Sequence, residues 1–256
     1  MMPVLTSKIE ARNLSESGEI DFKSEARRIR SVYQDREVIG ADRVHDRLTA
    51  YGNWAHRQVE RHLAWALAKK FQSQRELEDL KILDVGCGTG EYLMWFASLG
   101  IPFTNLFGID LLDWKIAESA KRFPGITLVC GDASSTGWPA AHFDVIYMVT
   151  CLDSILDTRI RKAVANEISR LLKPEGLIVS LHFTWNPLNK ATVGIDKDEL
   201  ARLFPAHFIR SKRVILAPPL SRLLLRLGEP IVAILGSIPF LCFHRIAYIH
   251  KLLPNA

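Results

Sequence analysis

Residues 81–90 read Lys-Ile-Leu-Asp-Val-Gly-Cys-Gly-Thr-Gly, and this stretch restricts the fold more than any other. Ile82, Leu83 and Val85 form a short apolar run with β-branched residues, the composition of a strand buried on both faces. The run ends in Gly86, Gly88 and Gly90, and a helical pattern starts at Glu91, with Leu93, Met94, Phe96, Ala97 and Leu99 toward one side. Strand, glycine loop and helix in that order make the first βα turn of a doubly wound sheet. Glycines there let the backbone approach a ligand and take φ values closed to other residues. The spacing is G-x-G-x-G rather than G-x-G-x-x-G, and Asp84 precedes the first glycine. A carboxylate in that place repels a pyrophosphate and attracts a cation.

Further segments follow at strand spacing. Asn105–Asp110 reads as the second strand, and Asp110 closes it 20 residues after Gly90. An acid there accepts hydrogen bonds from ribose hydroxyls; it also suits the N-cap of a helix starting near Trp114, and the two roles are compatible. Ile126–Cys130 reads as the third strand, followed by Gly131-Asp132-Ala133. Phe143–Val149 is the fourth, with Thr150 and Cys151 at its carboxyl edge and a structural Asp144 near its start. A helix rich in Arg161, Lys162, Glu167 and Arg170 leads to Leu171-Leu172, a Lys-Pro-Glu-Gly turn at 173–176, and a fifth strand reaching His182.

From about Lys81 to His182 these segments resemble the class I S-adenosylmethionine (SAM)-dependent methyltransferases. The first motif of that family runs (I/L)LD-x-G-x-G-x-G, and an LKPGG segment precedes its fifth strand. The resemblance implies an α/β fold: a doubly wound, seven-stranded, mainly parallel Rossmann-like sheet with an antiparallel edge hairpin, an N-terminal helical lid and a helical insertion near the C-terminus. It implies SAM as cofactor, S-adenosylhomocysteine as product, and no metal. The cofactor contacts it implies are Asp84, Gly86, Cys87, Gly88, Gly90, Asp110, Leu111, Asp132, Ala133 and Thr150. Asp110 holds the ribose, Leu111 or Leu112 packs on the adenine, and Asp132 and Ala133 meet its edge.

The organisation expected is a poorly ordered start and helical lid over 1–78, then a SAM-binding domain over 79–256 with an apolar insertion at 217–243. Ser24–Val38 reads as a basic helix and Tyr51–Phe71 as an amphipathic one. Tyr33, Tyr51, Trp54 and His56 are its acceptor-facing candidates, against plain packing of an amphipathic helix on the sheet. Asp196–Phe204 reads as a helix capped by Asp196, with Glu199 three residues on as in a capping box. Phe208–Leu216 and His244–Lys251 supply the edge hairpin.

Cys87, Cys130, Cys151 and Cys242 lack metal or redox spacing, and residues 1–30 lack a signal-peptide core, so a cytoplasmic protein with reduced thiols is expected. The net charge of +5 raises nucleic acid as a partner. Val149-Thr150-Cys151-Leu152-Asp153-Ser154 stands where base-amino methyltransferases carry (N/D)-P-P-(Y/F), and no basic-aromatic RNA module is appended, so none is expected. In the insertion, Leu220, Leu223, Leu224 and Leu227 share a helical face. Residues 230–243 carry no charge, too short a run to cross a bilayer. With seven Lys/Arg against Glu229 over 207–256, the insertion reads first as packing within the domain. Peripheral contact with a membrane or a lipid-linked substrate stays open.

Methyl transfer to a hydroxyl needs alignment and a base. At the carboxyl edge of the sheet the candidates are His182, then Asp153, then His56 from the lid. His182 ends the fifth strand, and neutral imidazole accepts a proton near pH 7; a role only in shaping the loop stays equally open. Asp153 and Asp157 alone make no divalent-metal site. The acceptor expected first is a small-molecule or saccharide hydroxyl, as in polysaccharide biosynthesis. A lipid-like quinone or polyketide comes second, and a non-catalytic SAM-binding protein third.

Overall fold

The computed structural model describes residues 21–71, 73–186 and 189–252. The reading of residues 1–20 as poorly ordered lies outside the described residues. Two helices open the described chain, α1 (Phe22–Val38) and α2 (Ala50–Lys70), then a short α3 (Gln74–Glu78). The alternation that follows is β1 (Ile82–Val85), α4 (Glu91–Ser98), β2 (Leu106–Asp110), α5 (Asp113–Arg122), β3 (Thr127–Cys130), β4 (Phe143–Val149), α6 (Thr158–Leu171) and β5 (Leu172–Phe183). The chain closes with α7 (Lys197–Leu203), β6 (His207–Leu216), α8 (Pro218–Leu224), α9 (Glu229–Gly236) and β7 (Cys242–Lys251).

The strands form one seven-stranded sheet in the order β3-β2-β1-β4-β5-β7-β6. β1 to β5 pair in parallel, and β7 runs antiparallel between β5 and β6. Seven strands, a mainly parallel sheet and an antiparallel edge hairpin are as expected. All of β1 is buried, as a central parallel strand with helices on both sides requires. Ile82, Val145, Tyr147 and Val179 belong to one core under α2 and α4, and Leu83, Ile146, Met148 and Ile178 to the other under α6 and α7. Strand order reverses between β1 and β4, so the chain diverges above their carboxyl ends and opens a crevice there.

Local expectations fared unevenly. Asp196 caps α7 by accepting from the Glu199 N–H at 2.8 Å. The Glu199 carboxylate does not return the bond; it pairs instead with Arg161 at 3.1 Å and Arg202 at 2.9 Å. The turn expected at 173–176 is a bulge within β5: the register passes from Phe143↔Leu172 to Val145↔Leu177, so five steps along β5 match two along β4. Asp144 is structural, held by Lys173 at 2.8 Å and by the Lys81 N–H. The shared leucine face in the insertion is split. Leu220 and Leu224 turn inward, whereas Leu223 on α8 is 60% exposed, and Leu227, beyond the helix end at Leu224, is 69% exposed.

Candidate functional site

At the crevice, a cavity of about 260 Å³ lies between the glycine loop and α1. Gly86 and Gly88 line it from the loop, Asp110 and Leu111 from the end of β2, Asp132 and Ala133 from the end of β3, and Thr150 from the end of β4. Gly88 has φ 52°, and a Cβ there would meet nothing within 4 Å, so its backbone faces open space. The Asp110 carboxylate accepts from the Gly88 N–H at 2.8 Å through one oxygen and from the Leu112 N–H at 2.9 Å through the other. Each carboxylate oxygen keeps a second acceptor site. Asp110 thus shapes the loop and still offers lone pairs to a ligand. Burial raises its pKa, and the backbone N–H bonds work against that rise.

Three residues expected at the cofactor do not line this cavity: Asp84, Cys87 and Gly90. Asp84 is 3% exposed beneath the loop, where burial and neighbouring Asp110 hold its carboxyl well above the usual range. The acids that face the cavity are Asp110 and Asp132, with Glu25 from α1, itself bonded to Arg28. Cys87 points down, against the backbone of Gly108, where a Cβ would sit 2.8 Å from its sulfur. Gly90 serves helix packing: it takes φ 79° at the start of α4, and a Cβ there would stand 2.5 Å from Ser119 Oγ on α5. The fit to SAM rests on charge. Among the described residues Lys115 is the only cation lining the cavity, against Asp110, Asp132 and Glu25, a balance suited to a sulfonium and an ammonium rather than to phosphates. Among the described residues no cluster of His, Cys, Asp and Glu could hold a metal ion.

A second cavity of about 400 Å³ adjoins the first, with Tyr51, Ala55, His56 and Val59 of α2 and Tyr92 of α4 on one side and Leu181, Phe183, Ile215 and His244 of the sheet on the other. Tyr33, Val149, Thr150 and Ser154 line both cavities. At this shared wall Ser154 Oγ donates to the Thr150 carbonyl at 3.0 Å, so the Tyr33 hydroxyl donates to Ser154 Oγ at 3.1 Å. Thr150 sits at φ 48°, a left-handed conformation that costs a non-glycine residue of the order of 1–3 kcal/mol. Strain and a buried hydroxyl chain coincide where the two cavities meet.

The structure sets the first two choices of base, His182 and Asp153, away from both cavities. His182 is fully buried and lines neither cavity. Successive strand residues face opposite sides; Leu181 and Phe183 point into the second cavity, so His182 points away from it. Neither of its ring nitrogens has a partner among the described residues, and burial, with His244 nearby, drives its pKa down to about 3. Asp153 is also fully buried and off both cavities. Its carboxylate accepts from the Phe183 N–H at 2.9 Å and its carbonyl from the Val193 N–H at 2.8 Å, which pins the loop after β4 to β5. Burial raises its pKa to about 7. His182→Leu is expected to leave turnover unchanged. Below pH 6.5 the unfolded wild-type histidine takes up a proton that the folded one refuses down to about pH 3, so wild-type stability falls over that window. The variant's melting temperature should therefore gain on wild type as pH drops through it; loss of turnover in a folded variant would restore His182 as the base.

His56 is the candidate that reaches the second cavity. Its Nε2 lies 3.2 Å from the His45 carbonyl and 3.7 Å from a Glu91 carboxylate oxygen. Both neighbours are acceptors, so the proton belongs on Nε2 and the lone pair on Nδ1. Nδ1 is buried and has no partner among the described residues. Burial and then Arg47 lower the pKa, against a raising effect of Glu91, so the ring is neutral near pH 7. Arg47 fixes this corner through Glu60 at 2.7 Å and Glu91 at 3.2 Å. Tyr51 also faces the cavity, while Trp54 is core packing at 3% exposure. Sequence reading missed His244, Ile215 and Tyr92, which only the hairpin and the α2–α4 packing bring here.

Residues 82–176 match a family model described as a methyltransferase domain. The ubiquinone/menaquinone biosynthesis C-methyltransferase UbiE of Campylobacter jejuni is 25% identical over 111 residues, 42% of this chain and 46% of that protein. A nocamycin O-methyltransferase of Saccharothrix syringae is 34% identical over 102 residues, 38% of this chain and 35% of its own length. The chain thus matches less than half the length of either relative. Burkholderia thailandensis 1,6-didemethyltoxoflavin-N1-methyltransferase, solved with its acceptor and S-adenosylhomocysteine, superimposes with a TM-score of 0.59 at 17% identity, over 94% of each chain. The sheet order and these likenesses give the fold of the class I SAM-dependent methyltransferases.

Proposed function

We propose, from the methyltransferase domain that residues 82–176 form, that this chain transfers a methyl group from SAM to a small-molecule acceptor held in the second cavity. The observation that carries the reading is the wall shared by an acid-lined cavity and a histidine- and tyrosine-lined one. When bound, SAM supplies an activated methyl on a sulfonium that is also a good leaving group. The chain's own part is alignment, exclusion of water and one proton transfer. Asp110 and the Gly88 backbone hold the donor side, and α1 covers it through Phe22, Ile29 and Tyr33. His56, on the wall of the second cavity, takes the acceptor's hydroxyl proton as its oxygen bonds to carbon.

We place a flat molecule with a hydroxyl, of quinone or polyketide type, ahead of a saccharide as acceptor. Val59, Val149, Leu181, Phe183 and Ile215 give the cavity an apolar face for a ring, and Tyr51, Asn186, Asn189 and Thr192 set hydrogen-bonding side chains around it for hydroxyls. The relatives' names, a quinone C-methyltransferase and an antibiotic O-methyltransferase, lean the same way. In calorimetry SAM and S-adenosylhomocysteine should bind while NAD and ATP do not; the reverse would end the reading. With tritiated SAM and a cell extract, label should pass into organic solvent. Label retained in water would favour the saccharide, and no transfer despite binding would favour a SAM-binding protein without catalysis.

A further inference from the structure

On the β6 side of the sheet, Arg57, Arg61, Trp65 and Lys69 follow one another at four-residue spacing along a single face of α2. Trp65 is 39% exposed, and three cations surround its ring: Lys69 at 5.4 Å, Arg210 at 5.7 Å and Lys212 at 5.8 Å. Between Trp65, Lys70 and Arg210 lies an open groove of about 440 Å³. Among the described residues no carboxylate pairs with Arg61, Lys69, Lys70, Arg210 or Lys212, although ion pairs are frequent elsewhere on this surface. An excess of cations left unpaired around an aromatic ring is an anion-binding arrangement.

The same two elements, α2 and β6, also carry the insertion. Arg57 holds Glu229 at the start of α9, which joins the basic row to that helix. Helix α9 turns Val232 into the core, yet its outer side presents Pro230, Ile231, Ala233 and Ile234 without a charge. Ile234 is 67% exposed, and Phe240 beside it 73%. A surface helix with an apolar outer face is unstable against water unless something covers it. Arg222 and Arg226 are exposed at its margin with Leu223 and Leu227.

We propose that the β6 side of this protein docks on an anionic phospholipid surface, with the α8–α9 insertion entering the acyl boundary and the basic groove around Trp65 taking headgroup phosphates. Two halves of an interfacial site are present together, apolar side chains for the lipid interior and cations for the phosphates. A nucleic acid would use the basic row and leave the insertion uncovered; a protein partner or second copy would not account for so one-sided a charge. The dock is independent of the methyl-transfer reading, but it would open the second cavity toward the membrane, since Ile215 and His244 of its wall flank the insertion.

The test is co-sedimentation with phosphatidylcholine vesicles, with and without phosphatidylglycerol, using the full chain. The protein should pellet with phosphatidylglycerol vesicles and release as salt is raised. Arg61→Ala with Lys212→Ala should weaken binding by about fivefold per charge removed. Ile234→Glu with Phe240→Glu should abolish it at any salt, with an unchanged melting curve as the check on folding. Leu223→Ser with Leu227→Ser serves the same end should that pair fail to fold. Absence from the pellet with both vesicles overturns the proposal. So does a concentration-dependent dimer that excludes vesicles, or tighter binding to a single-stranded oligonucleotide that Ile234→Glu leaves untouched.

Discussion

Asp110→Ala is expected to weaken SAM binding by about 3–6 kcal/mol, two charge-assisted hydrogen bonds at about 1.5–3 kcal/mol each, or roughly two to four orders of magnitude in Kd. The carboxylate is oriented before any ligand arrives, because the Gly88 and Leu112 N–H groups fix one acceptor site on each oxygen. The remaining lone pairs point where paired ribose hydroxyls are received at the end of a second strand. The variant loses loop support as well as ligand contacts, so both sources act in one direction. Asp110→Asn narrows the question: its amide oxygen keeps one of the two backbone N–H bonds while its NH2 cannot accept the other, and the charge is gone. Calorimetry with S-adenosylhomocysteine on protein shown to be folded by its melting curve reads the effect directly. An unchanged Kd for the alanine variant would remove Asp110 from the ribose site.

The donor half of the site was legible because its residues sit at strand ends, and strand ends are marked by composition. Gly86, Gly88, Asp110, Asp132 and Thr150 each close an apolar run, and the parallel order carries all of them to one edge. The acceptor half was less legible because it depends on phase and on distant packing. His182 and Phe183 are neighbours in sequence, and only the pleat decides which of them faces the cavity; β5 has a bulge that sequence periodicity does not announce. His244 reaches the same cavity from the far side of an insertion, through the antiparallel register Phe183↔His244. Asp84 shows a subtler limit. Motif position placed it beside the ligand, but β1 is buried along its whole length, and the carboxyl is held beneath the loop rather than above it. Position in a motif reports the turn; exposure at the turn is a property of the sheet.

The same geometry makes His56 the residue on which turnover should depend most. His56→Phe keeps a planar ring beside Tyr92, now 5.3 Å from the imidazole, and removes only the nitrogens. Turnover should fall by about 10²- to 10⁴-fold, the usual contribution of a positioned base. SAM affinity should hold, since His56 lines the acceptor cavity and not the donor one. The pH profile gives a second readout. The base works as the neutral ring, so activity rises with pH as the proton leaves. Burial and Arg47 set that limb below the ordinary histidine value of 6.5. Glu91→Gln takes away the carboxylate that opposes those effects, so its limb should move to still lower pH with a smaller loss of turnover. A base acting through His56 requires both the loss in the phenylalanine variant and the displaced limb in the glutamine one. If His56→Phe turns over at the wild-type rate with its acidic limb intact, the proton goes elsewhere, and the Tyr33 and Ser154 hydroxyls at the wall between the cavities are the next groups to vary.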